Sequence, residues 1–371
     1  MRATPATEPG TTSRSRARTA GRSRTRDDAR RLRPGLAVLW RSLTEVQIGT
    51  DPRWATAFTD LSPSATRALH SLSPGADVRT VRAALAAERV AADEAEELVT
   101  GFGRAGLLTD PPTTSVTGAL VADATAWGLA STPRVVLDRR RHAVVVRGLG
   151  RTGAVVATTL ASAGVRRIAL EDDALVAAHD TGVGGLTARD VGTDRSGAVA
   201  RLLHDAAPGV RTSPLGDGRA DLVVLVEAGT PDPVLYRTLL TDGVPHLSVV
   251  LREASVLVGP LVVPGRTACL GCADLHRSDE DPAWPAVAAQ LVARGARTGD
   301  AVESTLAAVA GGLATAQALA HLDGRAASTE DAALEVRLPD AVPRLVRLPP
   351  HPECGCLDLR DPTAADPSGH D

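Results

Sequence analysis

The four cysteines of this chain of 371 residues are its sharpest chemical signal. They form two close pairs, Cys269 with Cys272 and Cys354 with Cys356, so that each tight turn presents two thiols. Two such turns supply the four thiolates of a structural Zn²⁺ site, which has no open position for a catalytic water. Disulfides or free buried thiols are the alternatives; a reducing cytoplasm disfavours the first and the paired spacing the second. We therefore predict a zinc site that ties the C-terminal segment to the rest of its domain.

A glycine-rich turn is the second candidate for chemistry. Gly148, Gly150 and Gly153 follow the apolar run AVVV and open a helical pattern. Such glycines let backbone N–H groups approach a phosphate at the N-terminus of a helix. An acidic run begins at Glu171, where a dinucleotide-binding domain places the carboxylate that binds ribose. The pattern predicts a nucleotide site formed by the three glycines, Glu171 and Asp173; a turn that needs glycine only for helix–sheet packing is the alternative.

Composition restricts the chemistry that is open to this chain. All 41 basic residues are arginine, and neither lysine nor asparagine occurs. A phosphate loop of the GxxxxGK[ST] type, a Schiff base, a lysine general base and N-glycosylation are thereby excluded. We attribute the bias to GC-rich coding. With few cysteines, no secretory signal and no apolar run of about 18 residues, the sequence predicts a cytoplasmic protein without a membrane span.

The first 112 residues are predicted to form a tail and a small domain. Residues 1–33 carry ten arginines and few apolar side chains, so we expect disorder; a nucleic-acid-binding arm is the alternative, although no aromatic residue is interleaved to stack on bases. Residues 34–112 have the element pattern of a winged helix. Strands are expected at Leu36–Arg41 and Glu45–Gly49, and helices at Ser62–Ser71, Asp77–Glu88 and Ala92–Ala105.

Residues 113–133 are predicted to form a linker helix, and residues 134–371 a Rossmann-like α/β domain with a mostly parallel sheet. Apolar strands alternate here with helical segments, which places helices on both faces of the sheet. Strands are expected at His142–Arg147, Arg166–Leu170, Val210–Ser213, Asp221–Val226, Pro245–Val250, Leu334–Leu338 and Arg344–Leu348. Helices are expected at Thr152–Ala163, Asp194–Ala206, Pro233–Thr241 and Asp300–Leu322.

The surroundings of the cysteines resemble a known family. The relevant segments are PGRTACLGC at 264–272, DLHR at 274–277, DPAWP at 281–285 and HPECGC at 351–356. They resemble the ThiF/MoeB/HesA superfamily, relatives of ubiquitin-activating enzymes, and within it the ThiF-like partner of YcaO cyclodehydratases that make azole-modified peptides. The resemblance runs from about residue 34 to the C-terminus, and the N-terminal module is similar to the PqqD-like element that binds leader peptides. It implies that a precursor peptide adds a strand to the small sheet.

The chain departs from the residues with which active members of that superfamily adenylate a carboxylate. The stretch after the acidic run lacks their Asn-x-x-Arg-Gln segment, and Arg195 lies near the place of the missing lysine. Arginine keeps the charge of lysine without its point-donor geometry. Glu171 and Asp173 can stand for the acidic pair, and Glu227 or Asp232 for the Mg²⁺ ligand. We therefore expect a degenerate nucleotide pocket, with Asp173, Arg195 and Asp232 as the remaining catalytic candidates.

Three functions follow from these patterns. The first, which we favour, is a non-adenylating protein that holds a structural zinc ion, binds a leader peptide or protein partner and presents it to a YcaO-type enzyme. The second is an ATP- and Mg²⁺-dependent adenylyltransferase that acts on a peptide or carrier-protein C-terminus, in which Arg189 and Arg195 help to bind nucleotide. The third is a winged-helix DNA-binding regulator, which the acidic residues on the module's helices oppose because phosphate repels them. The resemblance also implies that the chain can form a homodimer.

Overall fold

The computed structural model describes residues 28–111, 116, 118–216, 218–295 and 302–358. The chain divides into two compact units, Met1–Arg134 and Val135–Asp371. Most of the predicted disordered tail, residues 1–27, lies outside the described residues. Arg31 and Leu32, which we assigned to that tail, instead form a strand, because Leu32 is buried in the apolar core of the first unit.

The first unit combines two small antiparallel sheets with helices. Its elements in chain order are β1 (Arg31–Leu32), β2 (Val38–Ser42), β3 (Glu45–Ile48), β4 (Thr56–Phe58), α1 (Pro63–His70), α2 (Val78–Ala87), α3 (Ala92–Arg104), β5 (Leu108–Thr109) and α4 (Leu120–Ala130). Strands β2, β3 and β4 form one sheet in that order, and β1 pairs with β5. Ser62 and Asp77 cap α1 and α2, because their side chains accept the N–H groups of Ala65 and Thr80.

Strands β2 and β3 and helices α1, α2 and α3 begin and end within two residues of the strands and helices that we expected between 34 and 112. The structure adds β1 and β4, which had no counterpart in the expected pattern. Helix α4 occupies the predicted linker segment and belongs to the first unit. The assignment of this unit to the winged-helix class stays a prediction.

The second unit alternates strands and helices. Its elements are α5 (Arg134–Asp138), β6 (Ala143–Arg147), α6 (Arg151–Ser162), β7 (Arg167–Glu171), α7 (Arg195–Ala206), β8 (Leu222–Ala228), α8 (Pro233–Thr241), β9 (His246–Leu251), β10 (Ser255–Val262), α9 (Leu270–Glu280), α10 (Trp284–Gly295), α11 (Ser304–Leu322), β11 (Ala332–Arg337) and β12 (Arg344–Arg347).

A seven-stranded sheet in the order β12-β11-β10-β9-β8-β6-β7 organises the second unit. Strands β6 to β9 are parallel to one another, and β10, β11 and β12 are antiparallel to their neighbours. Alternate side chains of β8 enter two apolar clusters, one shared with α6, α7 and α11 and the other with α8, so helices cover both faces. The predicted α/β fold is confirmed. Strand β7 lies on one side of β6 in the sheet, and β8, the next strand along the chain, lies on the other side. The carboxyl end of β6 is therefore a topological switch point.

Two strand predictions differ from the structure. Val210–Ser213 forms no strand, because only Arg211 makes an isolated bridge with Arg167 before Pro214 ends the extended segment. Strand β10 was not predicted, because its interior Gly259–Pro260 has the composition of a turn. The register with β9 shifts between Val258 and Leu261, and a proline is tolerated at such a bulge.

Helix α11 is long and apolar enough to span a membrane by length and composition alone. Ten of its residues are buried in the second unit, however, as in the core helix of a globular protein. Gly311 lets α11 approach α6 closely, since a Cβ there would lie 2.5 Å from Val155 Cγ1. These contacts assign α11 to the core of the sheet domain.

Candidate functional site

The glycine-rich turn lies at the switch point, between the end of β6 and the start of α6. Gly148 has φ of +85°, and a Cβ at this position would lie 2.1 Å from the carbonyl oxygen of Val226. A Cβ on Gly153 would lie 1.8 Å from the carbonyl oxygen of Gly148. Gly150 is the residue that precedes the first turn of α6. Close packing of the turn against β8 at Gly148, and of α6 against the turn at Gly153, therefore already requires glycine at both positions, whether or not a nucleotide binds.

An internal carboxylate occupies the turn. The Oδ2 atom of Asp172 accepts the Leu149 N–H at 2.7 Å, and its Oδ1 atom accepts the Ala174 N–H at 2.9 Å. Leu149 stands between the first two glycines, so this N–H belongs to the set that a phosphate-binding turn directs at its ligand. Asp172 thus places a negative charge on the turn from within the protein.

Arg195 neutralises this charge and is itself fully engaged. Its Nη1 atom lies 3.2 Å from Asp172 Oδ2, while Nε and Nη2 donate to the two carboxylate oxygens of Asp180 at 3.0 and 3.1 Å. The side chains of Arg195 and Asp180 are 6% and 0% exposed. A bidentate pair in this setting holds the guanidinium in place and leaves it little freedom to reach a ligand.

Three other predicted site residues line a cavity beside the turn: Glu171, Asp173 and Asp232. Glu171 is exposed, 3.7 Å from the Arg147 guanidinium. Asp173 is exposed and makes no side-chain hydrogen bond with the described residues. Asp232 caps α8 by accepting the Val234 N–H at 2.9 Å. Arg189 is absent from the residues that line this cavity. The sequence places Asp172 in the acidic run that begins at Glu171 but gives it no role, and no local pattern separates it from its two acidic neighbours.

Glu227, at the end of β8, is a largely buried carboxyl group of this cavity. Its Oε1 atom accepts the Asp232 N–H at 2.9 Å, whereas its Oε2 atom is buried without a partner among the described residues. Burial, and secondarily the charge of Asp232, raises the pKa of Glu227 to about 7. The cavity measures about 670 Å³, and five carboxyl groups line it against two arginines, Arg147 and Arg195. It is therefore a net acidic cavity.

The four cysteines come together in the same unit. Sγ–Sγ distances are 3.9 Å for Cys269–Cys272, 3.4 Å for Cys269–Cys354 and 3.5 Å for Cys272–Cys356, and all four sulfurs lie within 4.8 Å of one another. These distances exclude disulfide bonds, since S–S is about 2.05 Å there. A tetrahedral zinc ion with Zn–S bonds of about 2.3 Å requires sulfurs about 3.8 Å apart. The cluster therefore fits a four-thiolate metal site.

Local structure holds the sulfurs in these positions. Cys269 precedes the first turn of α9, and Cys272 follows one turn later. A side chain on Gly271 would begin 3.3 Å from Cys269 Sγ and 3.5 Å from Cys354 Sγ, so glycine keeps space beside the sulfurs. Burial raises the pKa of the Cys269 thiol, so thiolates at this position need a cation to stabilise them.

Two histidines join α9 to the segment that carries the second cysteine pair. His351 Nε2 lies 2.9 Å from Asp279 Oδ2, and His276 Nε2 lies 2.9 Å from the carbonyl oxygen of Pro349. The Glu353 N–H points at His351 Nδ1, 3.2 Å away. Nδ1 is then the acceptor of His351, and both Nε2 atoms carry hydrogens. His276, Asp279 and His351 could offer three ligand atoms to a metal ion. Their hydrogen bonds instead connect α9 to the segment with the second cysteine pair.

The parallel strands, the switch-point turn and the four-thiol cluster together define an α/β domain of the nucleotide-binding type with a cysteine cluster that could hold a metal ion. Residues 130–356 match the ThiF family. This match covers more than half of the chain, which therefore belongs to the ThiF family. A comparison with curated proteins finds no match.

Solved structures support the same fold. The structure of E. coli MccB with AMPCPP and MccA has a TM-score of 0.64 at 15% identity, and the alignment covers 88% of this chain and 99% of that chain. The microcin C7 biosynthetic enzyme MccB with N-formylated MccA gives 0.64 at 14% identity, with the same coverage. PaaA gives 0.61 at 17% identity, covering 84% of this chain and 98% of its own.

Proposed function

We propose that this protein binds a ribosomally made precursor peptide and presents it to a YcaO-type modifying enzyme, without adenylating a carboxylate itself. The observation that carries the proposal is the carboxylate of Asp172 on the Leu149 N–H. A nucleotide phosphate would have to displace a charged group that is hydrogen-bonded and paired with Arg195. The residues of this turn therefore do not fit a phosphate.

The charges around the glycine-rich turn also oppose adenylation. An adenylating site stabilises negative charge on the phosphates and on the transition state, for which it needs free cations. Of the two arginines that line the acidic cavity, Arg195 is committed to Asp180 and Asp172, and Arg147 lies beside Glu171. The lysine and asparagine of adenylating relatives are absent from the chain.

The small sheet of the first unit is the proposed place of peptide binding. It has two edge strands, β2 and β4, whose outer backbone groups can pair with an added strand. On β2, Trp40 is 43% exposed, and at the turn beyond it Leu43 is 67% exposed. Apolar side chains beside a strand edge that pairs with no other described strand suit a peptide with alternating apolar residues. The family resemblance to PqqD-like elements supports the same role, and MccB has been solved with MccA.

A structural zinc ion belongs to this proposal. Cys269, Cys272, Cys354 and Cys356 would hold it, and it would supply a rigid cross-link between α9 and the C-terminal segment. A four-thiolate shell offers no open position for catalysis. Four thiols without disulfides suit a reducing compartment, and we place the protein in the cytoplasm.

ATP-dependent adenylation of a peptide C-terminus is the second candidate. One observation favours it: the acidic cavity of about 670 Å³ is open beside the glycine-rich turn and holds carboxyl groups of the kind that bind Mg²⁺. MccB, which shares the fold, has been solved with ATP.

ATP–pyrophosphate exchange separates the two functions. The full chain is incubated with ATP, Mg²⁺ and each short peptide encoded beside its gene, and an adenylating ThiF-family enzyme serves as positive control. Our proposal expects exchange no higher than without protein. Exchange that depends on one peptide and is lost in Asp173→Ala would establish the second function.

A binding assay tests the peptide role. Fluorescein-labelled versions of the same peptides are titrated with the full chain, and saturable anisotropy is expected for one of them. Trp40→Ala should weaken this binding if β2 is the edge, whereas Arg147→Ala, in the second unit, should not. If no encoded peptide binds and no YcaO-type protein is retained by the chain, the presenting role is wrong.

A further inference from the structure

Arg277 on α9 is held in an unusual setting. Its guanidinium carbon lies 4.6 Å from the ring centroid of Trp284, in a cation–π arrangement. The Trp284 indole N–H donates to Asp274 Oδ1 at 3.2 Å, and the Tyr236 hydroxyl donates to Asp274 Oδ2 at 3.1 Å. Asp274 therefore fixes the indole, and the indole fixes the plane on which the guanidinium lies.

The guanidinium of Arg277 is half-buried but unmatched. Among the described residues it makes neither a hydrogen bond nor an ion pair, although an arginine has five N–H donors. Burial, and next the positive charge of Arg252, lowers the pKa of Arg277, although the nearby carboxylates of Asp274 and Glu280 oppose this shift. Two cations held close together in partial burial repel one another unless an anion lies between them.

Two adjoining cavities give an anion access to both arginines. Each measures about 320 Å³, and both are lined by Arg252 and Arg277. Gly229, just beyond β8, lines one of them, and Arg252 lies in the turn that follows β9. The cavity that Gly229 lines thus lies outside the carboxyl ends of the parallel strands, where open α/β sheets bind their ligands, whereas the other extends over the antiparallel strands β10 to β12.

We propose that Arg252 and Arg277 bind a carboxylate group of the peptide that this protein presents; the proposal rests on the function proposed above. Arg277 supplies a planar fork suited to two carboxylate oxygens, and Arg252 supplies a second charge. Trp284 orients the fork before the ligand arrives. The site would anchor the peptide at the same edge of the sheet as the glycine-rich turn.

The lining of the two cavities sets carboxylates against three arginines, Arg252, Arg277 and Arg347, so the site carries little net positive charge. Glu253, Glu280 and Glu335 line the same two cavities, and Arg252 lies 3.7 Å from Glu335 Oε1. A site with little net positive charge attracts a dianionic phosphate no better than a carboxylate, whereas the dianion costs more to remove from water. A peptide carboxylate is the anion that fits this balance.

The test uses the full chain and small carboxylate probes. Acetyl-Gly-Glu-amide carries a side-chain carboxylate, acetyl-Gly-Ala a terminal one, and acetyl-Gly-Gln-amide carries none. The readout is the ¹H–¹⁵N signal of the Trp284 indole, assigned with Trp284→Phe. We expect a saturable shift with at least one carboxylate probe and none with the glutamine probe; the probe that binds more tightly identifies the source of the carboxylate.

Variants decide whether the arginines are responsible. Arg277→Gln should weaken the affinity for the probe about tenfold or more, and Arg252→Gln should also weaken it. Arg277→Lys keeps the charge without the planar fork and should restore only part of the affinity. Arg237→Gln is the matched control, because Arg237 lies near the Tyr236 ring without lining these two cavities.

Two results would overturn the site. One is the absence of a saturable indole shift with either carboxylate probe, and the other is an equal shift in Arg277→Gln. The precursor peptide separates this proposal from the peptide-binding function. If the precursor binds the wild type and Arg277→Gln equally well, the carboxylate site is wrong and the peptide role stands. If it binds neither, the peptide role fails and the probe titration alone decides the site.

Discussion

At the scale of single residues, Asp172 and its neighbour Asp173 have opposite environments. Asp172 accepts two backbone N–H groups and pairs with Arg195, with its side chain 9% exposed, whereas Asp173 is exposed and makes no hydrogen bond with the described residues. A carboxylate with several hydrogen bonds to its charged form stabilises the fold, and an exposed one contributes little. In the acidic run at the end of β7, Asp172 is therefore the residue that stabilises the fold, although the sequence assigned it no role.

Replacing Asp172 by asparagine should destabilise the second unit by about 1–3 kcal/mol, because Arg195 and the Leu149 N–H lose a charged partner. Urea unfolding measures the change in the free energy of unfolding. Asp173→Asn is the matched control, and we expect it to stay within about 0.5 kcal/mol of the wild type. A larger loss for Asp173→Asn than for Asp172→Asn would contradict this view of the turn.

Glu227 should make the stability depend on pH. Its pKa is raised in the folded chain from 4.5 to about 7, so the folded state binds more protons than the unfolded state between these values. The free energy of unfolding therefore falls as the pH rises from 4.5 to 7, by about 3 kcal/mol from this group.

Glu227→Gln removes this titration while its side-chain oxygen still accepts the Asp232 N–H. We expect the variant to be about 1–3 kcal/mol more stable than the wild type at pH 8 and close to it at pH 4.5. Glu171→Gln, at an exposed position in the same cavity, serves as the control and should change little. Parallel pH profiles of Glu227→Gln and the wild type would rule out a buried titrating carboxyl at this position.

At the scale of elements, the two cysteine turns connect distant parts of the second unit. Cys269 and Cys272 lie at the start of α9, and Cys354 and Cys356 lie beyond β12, with 81 residues between Cys272 and Cys354. A metal that binds both turns would close this long loop in the folded state, so its binding free energy would add to the stability of the fold. The hydrogen bond between His351 and Asp279 is a second connection between α9 and the segment that carries Cys354 and Cys356.

We expect about one zinc ion per chain after purification in metal-free buffer, measured by plasma emission spectrometry. Cys356→Ser should lose the metal and lower the free energy of unfolding by more than about 4 kcal/mol, because the loss of a structural metal is among the largest single effects. Asp279→Asn, which removes only the partner of His351, should keep the zinc. Disulfide formation in the native protein, or full folding stability of Cys356→Ser, would argue against a structural zinc site.

At the scale of the whole molecule, local patterns in the sequence were enough for much of the fold. Capping residues such as Ser62 and Asp77 mark where helices begin, and alternating apolar strands and helices specify the parallel half of the sheet. The antiparallel strands late in the chain were harder to predict, because the Gly259–Pro260 pair inside β10 is typical of a turn. Its place depends on the pairing of β10 with β9 and β11, which lies outside the reach of local patterns.

The candidate site shows the same division. Spacing was sufficient to bring the four cysteines together and to place the glycines at the switch point. The sequence cannot tell which of three consecutive acidic residues turns inward, because the chain leaves the strand at Glu171 and loses its alternation there. The stacking of Arg277 on Trp284 is likewise a product of helix packing between α9 and α10.

Calorimetric titration of the full chain with Mg²⁺ and ATP is the most direct test of the central claim, that an internal carboxylate occupies the phosphate-binding turn. It needs no peptide substrate, and an adenylating ThiF-family enzyme provides the positive control. Our account predicts no saturable heat at millimolar ATP for the wild type. Saturable binding of ATP to the wild type in the micromolar range, weakened by Asp173→Ala, would contradict this prediction, because ATP would then bind with Asp172 in place.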